Sequence, residues 1–225
     1  MARLKELDVS LHFSRFSRVV KPFSQSLALL LHHKDEVADA LLTALPQHEG
    51  GSWKSLLSLL GVFVRDLREE AYPHFPRMCA VLKGMISAAT PELTAEVFRT
   101  LSFVFKYLAP AIVADPEYST HFNVWTPLLA SRRHYFRDMT AAALALLLRK
   151  QSASGLQTQL TALLRGVSRV PSALPTGEEA MSATQAAATG VLSSSVELVD
   201  GVATLIFECM RGVAGGFHSL TPTLL

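Results

Sequence analysis

Apolar residues recur every three or four positions along most of the chain. Between residues 53 and 67 they are Trp53, Leu56, Leu57, Leu60, Phe63, Val64 and Leu67. This spacing places them on one stripe of an α-helix. The segment from Val199 to Phe217 has the same periodicity. No stretch alternates apolar and polar residues with a strand-type composition, so the pattern predicts an all-α chain.

Capping signals divide this periodic sequence into helices. Thr90-Pro91-Glu92 and Asp115-Pro116-Glu117 each combine an N-capping oxygen, a proline suited to the first turn and an acid near the positive end of the helix dipole. The predicted helices are Val9–Val20, Pro22–His32, Lys34–Leu45, Trp53–Arg68, Phe75–Ala88, Pro91–Leu108, Pro116–Leu129, Arg133–Lys150, Leu156–Val167 and Val196–Phe217.

The spacing of the helices indicates a repeat architecture. From residue 53 onward they form consecutive pairs whose first helices start near residues 53, 91 and 133, about 40 residues apart, as in HEAT or armadillo units. We therefore predict a right-handed α-solenoid of about ten helices, with a plain α-bundle as the alternative. Residues 1–170 would form HEAT-like repeats, residues 171–195 a flexible low-complexity insertion rich in Pro, Gly, Ser, Thr and Ala, and residues 196–225 the terminal helix.

Composition agrees with helices that are buried on several sides. Hydrophobic residues make up 49% of the 225 residues and charged residues 18%. The apolar runs are much shorter than the ~20 residues of a membrane-spanning helix, and the N-terminus has no apolar signal region, which predicts a cytosolic or nuclear chain with no membrane partner. Cys79 and Cys209 lie on apolar helix faces and are expected to be small buried hydrophobes in a reducing compartment.

Catalytic and metal-binding patterns are missing from the sequence. It contains no phosphate loop, no His-Glu-x-x-His pair and no Gly-x-Ser-x-Gly elbow. His32 and His33 are adjacent, so on a helix they point about 100° apart and do not converge on one ion. We therefore expect no enzymatic activity, no catalytic residue, no metal, no cofactor and no small-molecule substrate.

A basic segment is the strongest candidate for binding. Between residues 132 and 150 there are five Arg or Lys residues and one acid, Asp138. The candidate contact residues are Arg132, Arg133, Tyr135, Arg137, Arg149 and Lys150. Arginine can bind phosphate bidentately, and an aromatic ring can stack on an unpaired base. The alternative is that Tyr135 or Phe136 belongs to the core and the arginines only keep a surface soluble. The net charge of +2 does not mark the whole chain as a nucleic-acid binder.

Several ordered residue runs resemble the N-terminal region of the DRIM family (down-regulated in metastasis). The runs are Leu56–Leu60, Val64–Leu67, Tyr72–Pro76, Leu101–Leu108, Phe136–Asp138, Leu148–Lys150 and Phe207–Val213. The most specific is Tyr72, Pro73, His74, Phe75 and Pro76. We expect this run to be a structural signature that locks one helix pair to the next rather than a direct binding site.

The composition of the chain does not indicate a function, but the resemblance to the DRIM family implies one. DRIM proteins are very large HEAT-repeat components of the small-subunit processome, so the chain would correspond to an N-terminal portion. The implied role is a nuclear, nucleolar scaffold that binds small-subunit precursor rRNA and proteins of the U-three small nucleolar RNA particle. The alternative is a HEAT-repeat adaptor, of the transport-receptor or cytoskeletal type, that binds protein and makes no RNA contact.

Overall fold

The computed structural model describes residues 18, 27–47, 52–88, 90–168, 195–211, 216, 218 and 219. Within these ranges no strand occurs and the regular elements are helices, so the all-α prediction is confirmed for them. The α-helices are α1 Leu27–His32, α2 Lys34–Ala44, α3 Ser52–Leu67, α4 Phe75–Ala88, α5 Pro91–Ala114, α6 Tyr118–Asn123, α7 His134–Leu148, α8 Ala153–Ser168 and α9 Ser195–Met210. The same ranges contain 3₁₀-helices at Leu45–Gln47, Arg68–His74 and Thr126–Ala130.

The chain divides into two compact units, an N-terminal unit Met1–Ile112 and a C-terminal unit Val113–Leu225. The predicted division into residues 1–170, 171–195 and 196–225 stays a prediction. The predicted insertion lies outside the described residues except for Ser195, which begins α9. The predicted helix Val9–Val20 lies outside them as well, except for Arg18.

Aromatic side chains form the centre of the N-terminal unit. Phe75, the first residue of α4, is fully buried, and its ring centroid lies 6.4 Å from that of Phe105 on α5. On its other side the ring stacks on Tyr72 at 5.7 Å. Leu57 and Leu60 of α3 are also fully buried. The apolar stripe predicted for this helix is therefore its core-facing side.

Side chains of α2 form a row of polar contacts with the segment from Glu70 to Arg77. Asp35, Asp39 and Thr43 are four residues apart in sequence, so they follow one face of α2, and Lys34 lies beside them at the start of the helix. The contacts of this polar seam are Lys34 with Glu70, Asp35 with His74 at 2.9 Å, Asp39 with Arg77, and Thr43 with Arg77 at 2.8 Å. All its carboxylates are at least 55% exposed, so the seam lies in contact with water.

Helix α5 is longer than the sequence predicted. The predicted end at Leu108 is wrong, because the helix continues through Pro110 to Ala114. A proline removes one helical hydrogen bond. Ala109 and Ile112, on either side of it, are buried. Burial of these apolar side chains offsets the lost hydrogen bond, and the local proline signal is overridden.

By length and composition, α5 is also the one described helix that could cross a membrane. Half of its most apolar stretch is buried inside the protein. Its exposed side carries charge at Glu92, Arg99 and Lys106. A core helix of a compact unit has these same properties, and α5 packs in that way.

In the C-terminal unit, α9 packs against α7 and against the 3₁₀-helix Thr126–Ala130. Gly201 makes this close approach possible, because a Cβ atom there would overlap the carbonyl oxygen of Leu129. Trp125 and Phe122 are fully buried nearby in the same unit. Cys209, near the end of α9, is also buried.

The single helix predicted over Pro116–Leu129 is wrong. The carboxylate of Asp115 accepts a hydrogen bond from the backbone N–H of Glu117 at 2.7 Å, which forms a turn and delays the start of α6 to Tyr118. Helix α6 ends at Asn123, and the 3₁₀-helix that follows has Pro127 in its first turn. Because proline has no backbone N–H, Pro127 cannot donate the hydrogen bond that would continue helix α6.

Candidate nucleic-acid interface

The basic segment begins in an extended turn just before α7. The preceding 3₁₀-helix ends at Ala130, before the extended Ser131. Arg133 has φ −81° and ψ 108°, an extended conformation that lets α7 start at His134. Its backbone N–H donates to Ser131 Oγ at 3.3 Å. This turn leaves the side chains of Arg132 and Arg133 exposed at the surface of the C-terminal unit.

Arg133 lies against the two aromatic residues of the segment. Its Nη1 donates to Tyr135 Oη at 3.2 Å, and its guanidinium carbon is 5.7 Å from the ring centroid of Phe136. Phe136 is only 6% exposed, so it belongs to the core, as the alternative interpretation proposed for one of these rings. Tyr135 is half-buried, with its ring centroid 4.8 Å from that of Phe136.

Arg137 holds α7 and α9 together. Its Nε donates to Asp200 Oδ2 at 2.8 Å, and its Nη1 donates to the carbonyl oxygens of Ser131 at 2.8 Å and Arg132 at 3.3 Å. The side chain is 11% exposed. Most of its donors are thus used within the C-terminal unit, so it adds little to a phosphate-binding surface.

Arg149 has a comparable structural position at the other end of α7. Its Nη2 donates to the carbonyl oxygens of Glu208 and Arg211, the latter at 2.7 Å. These carbonyls belong to the C-terminal end of α9, where intrahelical donors run out and a positive charge is favourable. Arg149 therefore acts as a cap for α9.

Three of the six predicted contact residues keep an exposed positive charge: Arg132, Arg133 and Lys150. They do not form one patch. Arg132 and Arg133 precede the first turn of α7 and Lys150 follows its last turn. Helix α7 has 15 residues, so its ends are about 22 Å apart. The exposed part of the predicted site is consequently a pair of arginines with Tyr135 beside them, and a separate lysine.

The run from Tyr72 to Pro76 lies at the junction between the 3₁₀-helix Arg68–His74 and α4. Pro73 is inside the 3₁₀-helix, and Pro76 is in the first turn of α4, where its missing N–H has no helical partner to lose. His74 bonds Asp35 and Phe75 fills the core. These contacts join α2, α4 and α5 within one unit. That the run locks one helix pair to the next stays a prediction.

Both cysteines are buried and neither forms a disulfide bond, which confirms the prediction that they are small buried hydrophobic residues. Burial raises the pKa of the Cys209 thiol to about 12, although the positive charge of Arg149 opposes the shift. Within the described ranges, no group of three or more His, Cys, Asp or Glu residues is arranged to hold a metal ion.

The fold and this surface define an all-helical protein with two compact units and an exposed pair of arginines. Comparison with known proteins gives a more specific assignment. Over 157 residues the chain is 27% identical to the U3 small nucleolar RNA-associated protein 20 of Saccharomyces cerevisiae, covering 68% of this chain and 6% of that protein. Over 149 residues it is 26% identical to the protein of the same name from Schizosaccharomyces pombe, covering 65% of this chain and 6% of that protein.

The resemblance to the DRIM family is therefore confirmed as a distant homology to U3 small nucleolar RNA-associated protein 20. The chain spans about 6% of the length of these two relatives. No family model matches it.

Proposed function

We propose that the chain is a non-enzymatic scaffold of the small-subunit processome in the nucleolus, where it supports precursor rRNA processing and the assembly of the small ribosomal subunit. The observation that carries this proposal is the similarity to two proteins associated with the U3 small nucleolar RNA, over about two thirds of the chain. The proposed partners are small-subunit precursor rRNA and proteins of the U3 particle. Because the matched region is 6% of each relative, the activity of the whole relative is part of the proposal.

The spacing of the helices supports the predicted HEAT or armadillo-like solenoid as the architecture of this scaffold. Helices α3, α5 and α7 begin at Ser52, Pro91 and His134, about 40 residues apart, as in HEAT units. Stacked helix pairs present a long surface, which suits a protein that holds several partners together.

Within this proposal, Arg132 and Arg133 make the phosphate contact of the C-terminal unit. They are exposed and adjacent, and Tyr135 lies beside Arg133. Arg137 and Arg149 support this surface by fixing α9 against α7. A charge reversal at Arg137 would place a carboxylate against Asp200 and disturb the fold, so it is not a clean probe of RNA binding.

A protein-binding adaptor is the second candidate. The observation that favours it is a row of exposed apolar residues on α9: Val196 is 72% exposed, Val199 48% and Phe207 63%. Exposed apolar side chains grouped on one helix face are typical of protein contacts. This adaptor would associate with a protein partner and would not contact RNA.

The test is crosslinking of RNA to the tagged full chain in its native cells, followed by sequencing. We expect enrichment of small-subunit precursor rRNA or U3 RNA, and a loss of crosslinks with Arg132→Glu/Arg133→Glu. The matched control is Lys83→Glu/Arg165→Glu, which makes the same change in net charge at exposed positions on α4 and α8. A background profile from a folded, expressed chain would exclude the RNA-binding scaffold and favour the adaptor.

A further inference from the structure

A second surface that combines basic and aromatic residues lies on the N-terminal unit, between α3 and α5. Gly61 of α3 faces the ring of Phe103 on α5: a Cβ added at residue 61 would lie 3.4 Å from the ring, an ordinary contact distance. The hydroxyl of Thr100 also donates to the carbonyl oxygen of Leu57 at 3.3 Å. A groove of about 290 Å³ runs beside this contact, with Phe103 and Arg65 in its walls.

Two aromatic rings stand on this surface. Phe103 is 38% exposed, although most large apolar residues of the unit are buried. Tyr107, one turn further along α5, is half-buried, and its ring is parallel to that of Phe103 within 4°, with the centroids 6.0 Å apart. The two rings thus form a short parallel row in which the Phe103 side chain is partly exposed.

Basic side chains surround the rings. The guanidinium carbon of Arg68 is 5.9 Å from the Tyr107 ring centroid, and Lys106 Nζ is 5.4 Å from it. Arg68 has φ 50°, a left-handed conformation that turns the chain at the end of α3. This turn places the side chain of Arg68, which follows α3, against the Tyr107 ring on α5. We define the α3–α5 face by six residues: Arg65, Arg68, Arg99, Phe103, Lys106 and Tyr107.

The charge of the α3–α5 face is positive. Two of its four cations are paired with carboxylates, Arg65 with Asp66 and Arg99 with Glu96. Glu96 is shared with a fifth cation, Lys54, at 3.7 Å. Among the described residues, Arg68 and Lys106 form no salt bridge. Arg68 and Lys106 lie at the Tyr107 ring, which is parallel to the exposed ring of Phe103. Cations without a carboxylate partner near an exposed aromatic ring can bind a single-stranded nucleic acid through phosphate contacts and base stacking.

From this geometry we propose that the α3–α5 face binds an unpaired stretch of RNA, with phosphates at Arg68 and Lys106 and a base stacked on Phe103. The choice of RNA over DNA rests on the proposed function. A duplex is a poor ligand for this face, because its bases are already stacked inside the helix and cannot reach Phe103. This contact is separate from the arginine pair at residues 132 and 133 and is carried by different elements.

The experiment uses the purified full chain and fluorescence anisotropy with three labelled probes of equal length: a 12-nucleotide oligo-uridine, the matching oligo-thymidine and a 12-base-pair RNA duplex. We expect the uridine probe to bind with strong salt dependence and the duplex at least tenfold more weakly. Thymidine binding equal to or weaker than uridine binding agrees with the proposal. Binding of thymidine but not of uridine would overturn the RNA assignment, and preference for the duplex would overturn the stacking model.

Paired variants test each part of the face. Phe103→Leu keeps an apolar side chain but removes the ring, and should weaken uridine binding by about 5- to 100-fold, the loss of one base-stacking contact. Phe103→Tyr should bind within about twofold of the parent chain, because a ring is retained. Lys106→Glu should weaken binding about tenfold and reduce the salt slope by about one. Arg165→Glu, the same charge change at an exposed position on α8, should change binding less than about twofold.

Equal effects of Lys106→Glu and Arg165→Glu, or unchanged binding of a folded Phe103→Leu chain, would refute the proposal. Circular dichroism spectra and thermal melting of each variant check that it is folded. The result is distinct from that of the cellular crosslinking. If the parent chain binds no oligonucleotide while U3 or precursor rRNA is still recovered from cells, the α3–α5 face is not an RNA site and the scaffold proposal stands.

Discussion

Arg77 in the N-terminal unit and Arg149 in the C-terminal unit both join helices that are distant in sequence, but they do so at different depths. Arg77 is 45% exposed, and it bonds the side chains of Asp39 and Thr43 in the polar seam. Arg149 is half-buried, and it bonds backbone carbonyls at the end of α9. An exposed ion pair contributes about 0–1 kcal/mol, because water and salt screen it and both side chains lose entropy.

A half-buried guanidinium on carbonyl groups is more difficult to replace. If it is removed, the carbonyls at the end of α9 lose a charged donor at a partly buried contact, which costs about 1–3 kcal/mol. The comparison of Arg77 with Arg149 shows that residue type alone does not tell whether an arginine makes a surface contact or holds the fold together. Its role depends on how exposed its partner is, and the following substitutions test that difference.

The largest effect is expected from Phe75→Ala in the core of the N-terminal unit. Phe75 is fully buried between Tyr72 and Phe105, so its loss should lower the free energy of unfolding by about 3–5 kcal/mol. The matched control is Phe103→Ala, because Phe103 is 38% exposed and should cost much less. Urea unfolding followed by circular dichroism measures both. Similar losses for the two variants would mean that Phe75 is not the centre of this core.

Gly201→Ala should have the second-largest effect, in the C-terminal unit. The added methyl group would overlap the Leu129 carbonyl, which is backbone and cannot rotate away. We expect a loss of about 1–3 kcal/mol, typical of an overpacked contact. The control is Gly84→Ala in α4, where nothing lies within 4 Å of the new Cβ, and it should raise stability by about 0.5–1 kcal/mol. Hydrogen-exchange mass spectrometry would show faster exchange in α9 for the first variant, and a stable Gly201→Ala chain would contradict the close packing of α9.

Arg149→Met and Arg77→Met test the comparison directly. We expect Arg149→Met to lower the unfolding free energy by about 1–3 kcal/mol and Arg77→Met by less than about 1 kcal/mol. In 1 M salt the effect of Arg77→Met should vanish, while that of Arg149→Met should largely persist, because a partly buried contact is screened less than an exposed one. Urea midpoints at low and high salt provide the measurement. A larger loss for Arg77→Met than for Arg149→Met would contradict the expected ranking of the two arginines.

The smallest effect concerns pH. Because burial raises the pKa of Cys209 to about 12 in the folded chain, from 9.0 for an ordinary thiol, the unfolded chain releases this proton first as pH rises. The contribution of the Cys209 thiol to the free energy of unfolding is fully present below pH 9 and is lost between pH 9 and 12. As the pH rises from 8 to 10, the free energy of unfolding should therefore fall by about 1 kcal/mol less in the Cys209→Ala chain than in the parent chain.

Urea unfolding at pH 8, 9 and 10 measures this difference. Tyr118 is present in both chains; its pKa is raised from 10.0 to about 12, mainly by burial and to a smaller extent by Cys209. Its contribution to stability is therefore lost mainly above pH 10, outside the measured range. Stability curves that fall in parallel with pH would show that the Cys209 thiol titrates alike in the folded and unfolded states.

Local sequence patterns predicted the helices well where the signal is short-range. Helix α4 begins and ends at the predicted residues, and α3 differs from its prediction by one residue at each end. The end of α5 could not be predicted, because the proline rule is local whereas the burial of Ile112 depends on the packing of the whole unit.

The candidate site was predictable only as a set of residue types. The basic segment is visible in the sequence, but Arg137 and Arg149 are directed inward by Asp200 and by the carbonyls of Glu208 and Arg211. These partners lie about sixty residues further along the chain, beyond any local pattern. The α3–α5 face was missed for the same reason, since Arg68 and Lys106 belong to segments that meet only in the folded unit.

The polar seam of α2 has a consequence for evolution. Asp35 contacts His74 and Asp39 contacts Arg77, so each acid is paired with a base on the next helical layer at a nearly constant offset along the chain. Contacting positions tend to co-vary among homologous sequences. A lineage that replaces Asp39 with a neutral or basic residue is therefore expected to replace Arg77 as well, and an inverted pair, with the base on α2 and the acid on α4, would preserve the same contact.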